Sequence, residues 1–341
     1  MRLLVTGASG LVGSNVVAAA VQRNWSTLGT WCSTQVRLPG AHTACLDLAD
    51  RRACVTLASE FEPEVLVHAA ASVELGRLER EPRLARLNSL GTEHTLVAAR
   101  AVHARYVLVS SDWVFSGDRP AGQCWSELDP TGPVNAYGRT KLASELAVED
   151  FVGSWLITRP ANVYGVNLSL PGGPAARAAD GAELHARHVW ERSSLALRWV
   201  AHLRAGRPLP APDGVYQSPT YACDYAERLL GLIARGCEGV CNTAGPDSLG
   251  RRDYLRELAL AFDCDPGLVH DGSVSEFLVA AGEHADLRLP SNTTLCDELA
   301  TSALGGQAVD SFTGHRLMRE QLQRVLADRP AANRPSEEVA R

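Results

Sequence analysis

The chain has almost no lysine. Of its 33 basic residues only Lys141 is lysine, and the rest are arginine. Alanine, arginine, glycine and proline are abundant, as GC-rich coding produces, and under that bias lysine gives way to arginine wherever either serves. A lysine that survives marks a place where a compact ammonium is needed and a planar guanidinium does not substitute. Positive charge is also short overall. The formal net charge of −6 excludes a protein that holds nucleic acid by bulk electrostatics. No apolar run reaches the ~18 residues of a membrane span. Paired cysteine motifs are missing too. The nine cysteines are scattered, with no C-x-x-C, the closest being Cys237 and Cys241. They read as nine free thiols in a reducing compartment, with neither a zinc site nor a disulfide framework. After Met1 and Arg2 the chain runs straight into Leu3-Leu4-Val5 and a glycine motif, which leaves no room for a signal peptide. The expected location is the cytoplasm.

What is present describes an ordinary globular chain. It has 341 residues, 45% hydrophobic and 21% charged. That length suits about two domains, or one large α/β unit with a smaller cap. Short apolar runs alternate with helical patterns. Arg2–Thr6, Ser26–Trp31, Thr43–Leu46, Glu64–Ala71 and Arg105–Ser111 read as strands. Leu11–Gln22, Leu48–Phe61 and Pro82–His103 read as helices, the last with proline at its start. Apolar strands separated by helices predict an α/β fold, a doubly wound parallel sheet of the Rossmann kind covered on both faces. The dinucleotide-binding domain is expected over residues 1–165, with 219–246 returning to it through a helix at Tyr221–Arg235 and a strand at Val240–Thr243. Residues 166–218, with a helix at Trp190–Ala205, and 247–326 make a smaller mixed substrate-binding region, and 327–341 reads as a disordered tail.

The first strand ends in Thr6-Gly7-Ala8-Ser9-Gly10-Leu11-Val12-Gly13. Strand before and helix after is the setting a phosphate-binding turn requires. Gly7 allows the tight turn, Gly10 lets backbone approach a pyrophosphate, and Gly13 allows close packing. Ser9, Leu11 and Val12 complete the cradle, where the helix N-terminus offers N–H groups to the phosphates. Asp47-Leu48, after the third strand, are candidates for the adenine, although Asp47 also suits a helix cap. Ala69-Ala70-Ala71, after the fourth strand, keep side chains out of a cofactor's way. Where the second strand ends, an acid would bind the ribose 2′-hydroxyl of NAD. The stretch Thr30-Trp31-Cys32-Ser33-Thr34 has no acid, and Arg37 lies beyond it. This leans towards NADPH over NADH, with Cys32 and Ser33 at the ribose.

Tyr137-Gly138-Arg139-Thr140-Lys141 places a tyrosine and the lone lysine four apart at the head of a helix, hence on one face. A free phenol titrates near pH ~10, and a neighbouring ammonium lowers that value towards neutrality. The same lysine can hold a nicotinamide ribose. Ser110-Ser111 ends the fifth strand at the carboxyl edge of the sheet, where such folds place their sites. Ser111 is the candidate to hydrogen-bond a substrate carbonyl oxygen and share its developing charge. Glu183, His185, His188 and Glu191 cluster on a polar stretch, which reads as a solvated face; no metal is expected.

The glycine spacing G-x-x-G-x-x-G with Tyr137 and Lys141 resembles the extended short-chain dehydrogenase/reductase family. Val109-Ser110-Ser111-Asp112-Trp113-Val114-Phe115-Ser116-Gly117 is similar to the V-S-T-D-Y-V-F-D-G stretch of dTDP-4-dehydrorhamnose reductases. Glu127, Pro133, Asn135, Glu145, Arg159-Pro160, Ser218-Pro219-Thr220-Tyr221-x-x-Asp224 and Asn292-Thr293 continue the pattern. The resemblance implies reduction of the 4-keto group of a nucleotide-activated deoxysugar. Tyr137 then protonates the ketone oxygen and the nicotinamide delivers hydride. Pro160, Asn162 and Val163 would line the nicotinamide; Ser72, Asp112, Trp113, Phe115, Tyr164 and Arg288 would border the sugar. Trp113 replaces the usual tyrosine, Ser116 an aspartate, and residues 166–192 are longer than the family's loop. The resemblance also implies a homodimer, which no stretch of the sequence encodes. An epimerase or dehydratase that recycles bound NAD, and a non-catalytic NADP-binding subunit like the β subunit of methionine adenosyltransferase, are the alternatives.

Overall fold

The computed structural model describes residues 1–171 and 193–327. The cluster of Glu183, His185, His188 and Glu191, most of the long 166–192 stretch and the tail after Ala327 lie outside the described residues.

Seven strands form one parallel sheet: β1 (Arg2–Thr6), β2 (Ser26–Trp31), β3 (His42–Cys45), β4 (Val65–His68), β5 (Arg105–Val109), β6 (Trp155–Arg159) and β7 (Gly239–Asn242). Their spatial order is β7-β6-β5-β4-β1-β2-β3. The order reverses between β1 and β4, which opens a crevice at the carboxyl ends of these strands. Side-chain alternation explains why both faces are covered. Leu3, Val5, Val67 and Val107 point to one face and pack with helices α1 (Leu11–Gln22) and α7 (Ala222–Ala234). Leu4, Leu66, Tyr106 and Leu108 point to the other and pack with residues of α2 (Arg51–Phe61) and α4 (Pro82–Ala101). The short helix α3 (Leu75–Arg80) precedes α4, and α5 (Ala136–Glu149) packs beside it.

Local chemistry sets the ends of these elements. Helix α2 starts three residues later than the apolar pattern suggests, because Asp50 is its cap and accepts the Ala53 N–H at 3.0 Å. Asp47 does not cap it; its carboxylate accepts the Ala49 N–H at 2.9 Å in the preceding turn. Pro82 occupies the first turn of α4, where no N–H is needed.

A second core lies beyond the sheet edge. Helices α6 (Leu195–Arg204), α8 (Arg251–Ala261), α9 (Val274–Ala280) and α11 (Ser311–Ala327) enclose Leu197, Trp199, Tyr254, Leu255, Phe262, Phe277 and Met318. The remaining helix, α10 (Glu298–Leu304), packs against α7. The short parallel pair Val163–Tyr164 and Thr220–Tyr221 joins this core to the sheet, and both tyrosines are buried in it.

One expectation about cysteine fails. Cys124 and Cys296, separated by 172 residues, form a disulfide with Cα atoms 5.3 Å apart. The backbone brings them together: Trp125 donates to the Thr294 carbonyl at 2.7 Å, and Cys296 donates to the Trp125 carbonyl at 2.9 Å. The other seven cysteines are free thiols. Among the described residues no helix is long and apolar enough to cross a membrane, and no group of histidine, cysteine and acidic side chains could hold a metal ion.

Candidate active site

A cavity of about 490 Å³ lies at the carboxyl ends of β1, β4, β5 and β6. Gly7, Gly10, Leu11, Val12 and Gly13 form one wall. Gly7 sits at φ +72°, and a Cβ there would meet the Ala70 Cα at 2.6 Å. A Cβ on Gly13 would meet the Gly7 carbonyl oxygen at 2.4 Å. Its role is therefore to let α1 close onto the turn, more than onto the sheet. No side chain caps α1 and no acid stands in its first turn, so its positive end faces the cavity through backbone alone.

The opposite wall carries the reactive groups. Ser111 follows β5. Its hydroxyl donates to the Asp112 carboxylate at 2.9 Å and accepts the Trp113 N–H at 3.2 Å. Thr293 donates to the other Asp112 oxygen at 2.6 Å. Helix α5 brings Tyr137 and Lys141 to the same wall. Asn135 caps it by accepting the Gly138 N–H at 2.9 Å. Only glycine fits at 138, since a Cβ would lie 2.1 Å from the Trp113 carbonyl oxygen. Lys141 donates to the Val109 carbonyl at 2.9 Å, and its Nζ lies 5.9 Å from the Tyr137 ring centroid. Trp113 stands edge-on to Tyr137 at 5.7 Å. Asn162 takes the left-handed conformation, φ 40°, which asparagine tolerates better than most residues, and Pro160, Asn162 and Val163 line the cavity after β6.

Burial dominates the electrostatics. It lowers Lys141 to about 8, against the pull of Glu145 one turn along α5. It raises Asp112 to about 6, against the hydroxyls of Thr293 and Ser111. The Tyr137 phenol is pushed up by burial and by the Asp112 carboxylate, while Ser111 works the other way. The expectation that Lys141 lowers the tyrosine is thus not met in this state: the ammonium is turned to the Val109 carbonyl. Beneath the site Glu145 forms a fully buried ion pair with Arg159, accepting at 3.0 and 2.7 Å, and Ser110 donates to the same carboxylate. Arg159 lies over the Phe115 ring at 5.1 Å.

The structure brings Ser111, Tyr137, Lys141, Asp112, Trp113, Ala69, Ala71, Pro160, Asn162, Val163 and the glycines onto this one cavity. Other expected residues lie elsewhere. Ser9 is held by Asn167, which donates to its carbonyl at 2.9 Å. Cys32, Ser33 and Asp47 are exposed beyond the cavity, with Leu48 near them; the Leu48 carbonyl pairs with His94 at 2.8 Å. Ala70 backs Gly7, and the Ser72 N–H is taken by Asn88 at 2.8 Å. Two residues expected at the sugar face inward instead. Phe115 stacks on Trp125 at 4.8 Å in a small core, and Tyr164 is buried with its hydroxyl donating to the Ser311 carbonyl at 3.2 Å. Their apolar rings find better packing there than at a wet surface. Arg288 is exposed on a neighbouring pocket with Arg80 and Arg139. Sequence reading missed the far wall: Val215, Gln217, Arg251, Phe277 and Leu278, with Arg198. They come from segments far apart in sequence with no local motif.

Sheet order, glycine turn and crevice define a protein of the Rossmann class, a fold whose ligand crevices lie at the switch point. Residues 1–170 match the RmlD substrate binding domain family. Methionine adenosyltransferase 2 subunit beta of Xenopus laevis is 37% identical over 165 residues, covering 48% of this chain and 47% of that protein. dTDP-4-dehydrorhamnose reductase of Salmonella typhimurium is 34% identical over 167 residues, covering 48% and 52%. The chain thus spans about half the length of the curated relatives it matches. Solved structures extend the likeness in fold to almost the whole chain. The dTDP-4-dehydrorhamnose reductase from Bacillus anthracis, in complex with NADP, superposes with TM-score 0.74 at 20% identity, covering 94% of this chain and 99% of that one. The UDP-glucose 4-epimerase from Thermus thermophilus, in complex with NAD, superposes with TM-score 0.75 at 22% identity, covering 95% and 99%.

Proposed function

We propose that the protein is an NADPH-dependent reductase of a nucleotide-activated 4-keto-deoxysugar. The observation that carries this reading is the convergence of Ser111, Tyr137 and Lys141 with the Gly7–Gly13 turn on one cavity. The turn fits a pyrophosphate because side chains are excluded from it: a Cβ at Gly7 or Gly13 would strike backbone. The cofactor's pyrophosphate would rest on this turn, its ribose on Lys141, its nicotinamide against Pro160, Asn162 and Val163. Its adenosine end would reach Ala69 and the exposed edge at Cys32, Ser33, Asp47 and Leu48. The segment directly after β2 carries Ser33, Thr34 and Arg37 and no acid, where an acid would favour NAD, and this supports NADPH. Bound there, the nicotinamide supplies the hydride.

The chain's own residues manage the oxygen. Tyr137, kept neutral by burial, is in the right state to give its proton to the ketone oxygen as negative charge develops on it. Ser111 donates a second hydrogen bond to that oxygen once its proton turns away from Asp112. Lys141, freed from the Val109 carbonyl, offsets the charge left on the phenolate. Trp113 and Asp112 would face the sugar.

The test is NADPH absorbance with a panel of nucleotide-linked 4-keto-6-deoxysugars. Wild type should oxidise the cofactor, and Tyr137→Phe should be slower by about 10²–10⁴-fold with NADPH binding kept. A second reading, a cofactor-holding subunit of a methionine adenosyltransferase, is favoured by the 37% identity to such a subunit. It predicts no oxidation and a stable complex with a methionine adenosyltransferase catalytic chain.

A further inference from the structure

Cysteine is among the most buried residue types. Of the free thiols in this chain two are exposed, Cys32 and Cys45, and they are neighbours. Cys45 ends β3 and lies level with Trp31, the last residue of β2. Cys32 is one residue further on. Adjacent strands run about 4.8 Å apart and a residue rises about 3.3 Å, so the Cys32 and Cys45 backbones stand about 6 Å apart, inside the span of about 4.4–6.8 Å that a disulfide bridges. Backbone pairing holds this register. Leu46 donates to the Trp31 carbonyl at 2.8 Å, and the Cys45 thiol donates to the Cys32 carbonyl at 3.7 Å. The pair sits at the carboxyl edge of the sheet, where the chain bends over Cys32–Thr34. Among the described residues the two thiols have no third ligand with which to hold a metal ion.

We propose that Cys32 and Cys45 are a peroxide-sensitive dithiol whose disulfide form displaces the Cys32–Thr34 bend and weakens the hold on a dinucleotide. Burial, the Asp47 carboxylate and Cys45 all raise the Cys32 thiol, so it rests protonated and acts second. Cys45 attacks hydrogen peroxide: its sulfur takes one oxygen, the O–O bond breaks, and one water leaves with the thiol's proton. Cys32 then attacks that sulfenic sulfur, the S–O bond breaks, and a second water leaves. The two sulfurs give up two electrons and two protons, and the peroxide takes them. The displacement follows from the contact already made. The Cys45 sulfur faces the Cys32 carbonyl, so joining the sulfurs turns the Cys32 peptide and brings its side chain to where that carbonyl now stands. The weakened binding rests on the reading that this edge takes the cofactor's adenosine end; the disulfide itself does not.

The full chain, treated with hydrogen peroxide and then alkylated, tests it by peptide mass spectrometry and by NADPH titration followed by fluorescence. Peroxide should join the peptides that carry Cys32 and Cys45, with the loss of two hydrogens. NADPH affinity should fall by about tenfold or more, because the linked bend no longer offers the binding conformation. Dithiothreitol should reverse both effects. Cys45→Ser should bind NADPH as reduced wild type does, and peroxide should leave its affinity unchanged. That variant keeps the Cys124–Cys296 link and every other thiol, so it controls for oxidation elsewhere. Cys45→Ala gives the same comparison if the serine variant does not fold. The proposal is overturned if peroxide leaves Cys32 and Cys45 unjoined, if the joined protein binds NADPH as before, or if Cys45→Ser loses affinity as wild type does. Failure of the cofactor reading looks different: the reduced protein binds neither NADPH nor NADH, and the joined peptides alone decide whether the dithiol exists.

Discussion

Replacing Gly7 by alanine should damage the protein in two separable ways. The first is conformational. Gly7 sits at φ +72°, and an L-residue in that region costs about 1–2 kcal/mol. The second is steric. The new Cβ would lie 2.6 Å from the Ala70 Cα and 2.8 Å from its nitrogen, both backbone atoms of the segment after β4. Overpacking of this kind costs about 1–3 kcal/mol. Gly305 supplies the control. It has φ +75° and nothing within 4 Å of its ideal Cβ, so Gly305→Ala carries the conformational cost alone. Both variants regain about 0.4–1 kcal/mol by restricting the unfolded chain, which cancels in the comparison. Gly7→Ala should therefore lose about 1–3 kcal/mol more than Gly305→Ala, read as a lower urea midpoint at unchanged slope. NADPH affinity, followed by fluorescence, should fall for Gly7→Ala and hold for Gly305→Ala. Equal midpoints would refute the close approach of the turn to Ala70.

Other expectations follow from the buried charges. Glu145→Gln leaves Arg159 buried without its carboxylate and should cost about 3–5 kcal/mol in urea unfolding. Lys141 is depressed from 10.5 to about 8, so folding disfavours its charged form. Its contribution to stability therefore rises between pH 8 and 10.5, and this rise should vanish in Lys141→Met. If the charge of Lys141 is needed, kcat/KM should fall above about pH 8. Asp112 is raised from 3.8 to about 6, so its burial costs stability above pH 6 and nothing below pH 3.8; Asp112→Asn should gain on wild type only at the higher pH. Reduction of the Cys124–Cys296 link, which spans 172 residues, should lower the unfolding midpoint by the equivalent of about 2–4 kcal/mol.

The parts of the site that were legible in the sequence are those whose chemistry forces a local pattern. A pyrophosphate turn needs glycines between a strand and a helix, so Gly7, Gly10 and Gly13 announce it. A tyrosine and lysine on one helix face must be four apart, and codon bias left a single lysine to notice. The strands were legible because buried parallel strands are continuous apolar runs. The far wall was not. Gln217, Arg251 and Phe277 come from three separate elements, and one arginine among so many carries no signal. Phe115 and Tyr164 were misplaced for a related reason: adjacency to a motif says nothing about which way an aromatic ring turns. The disulfide was hidden because its two cysteines meet only through the backbone pairing at Trp125 and Leu295.

The central claim is that this cavity moves hydride from a nicotinamide to a sugar carbon, with Tyr137 managing the oxygen. The most direct measurement uses NADPH deuterated at the transferring position, a nucleotide-linked 4-keto-6-deoxysugar that the protein turns over, and mass spectrometry of the product. The account predicts one deuterium on the product sugar for each NADPH consumed, with Tyr137→Phe forming that labelled product about 10²–10⁴-fold more slowly. A product without deuterium, formed while the cofactor is unconsumed, would contradict it and mark an enzyme that recycles its nicotinamide.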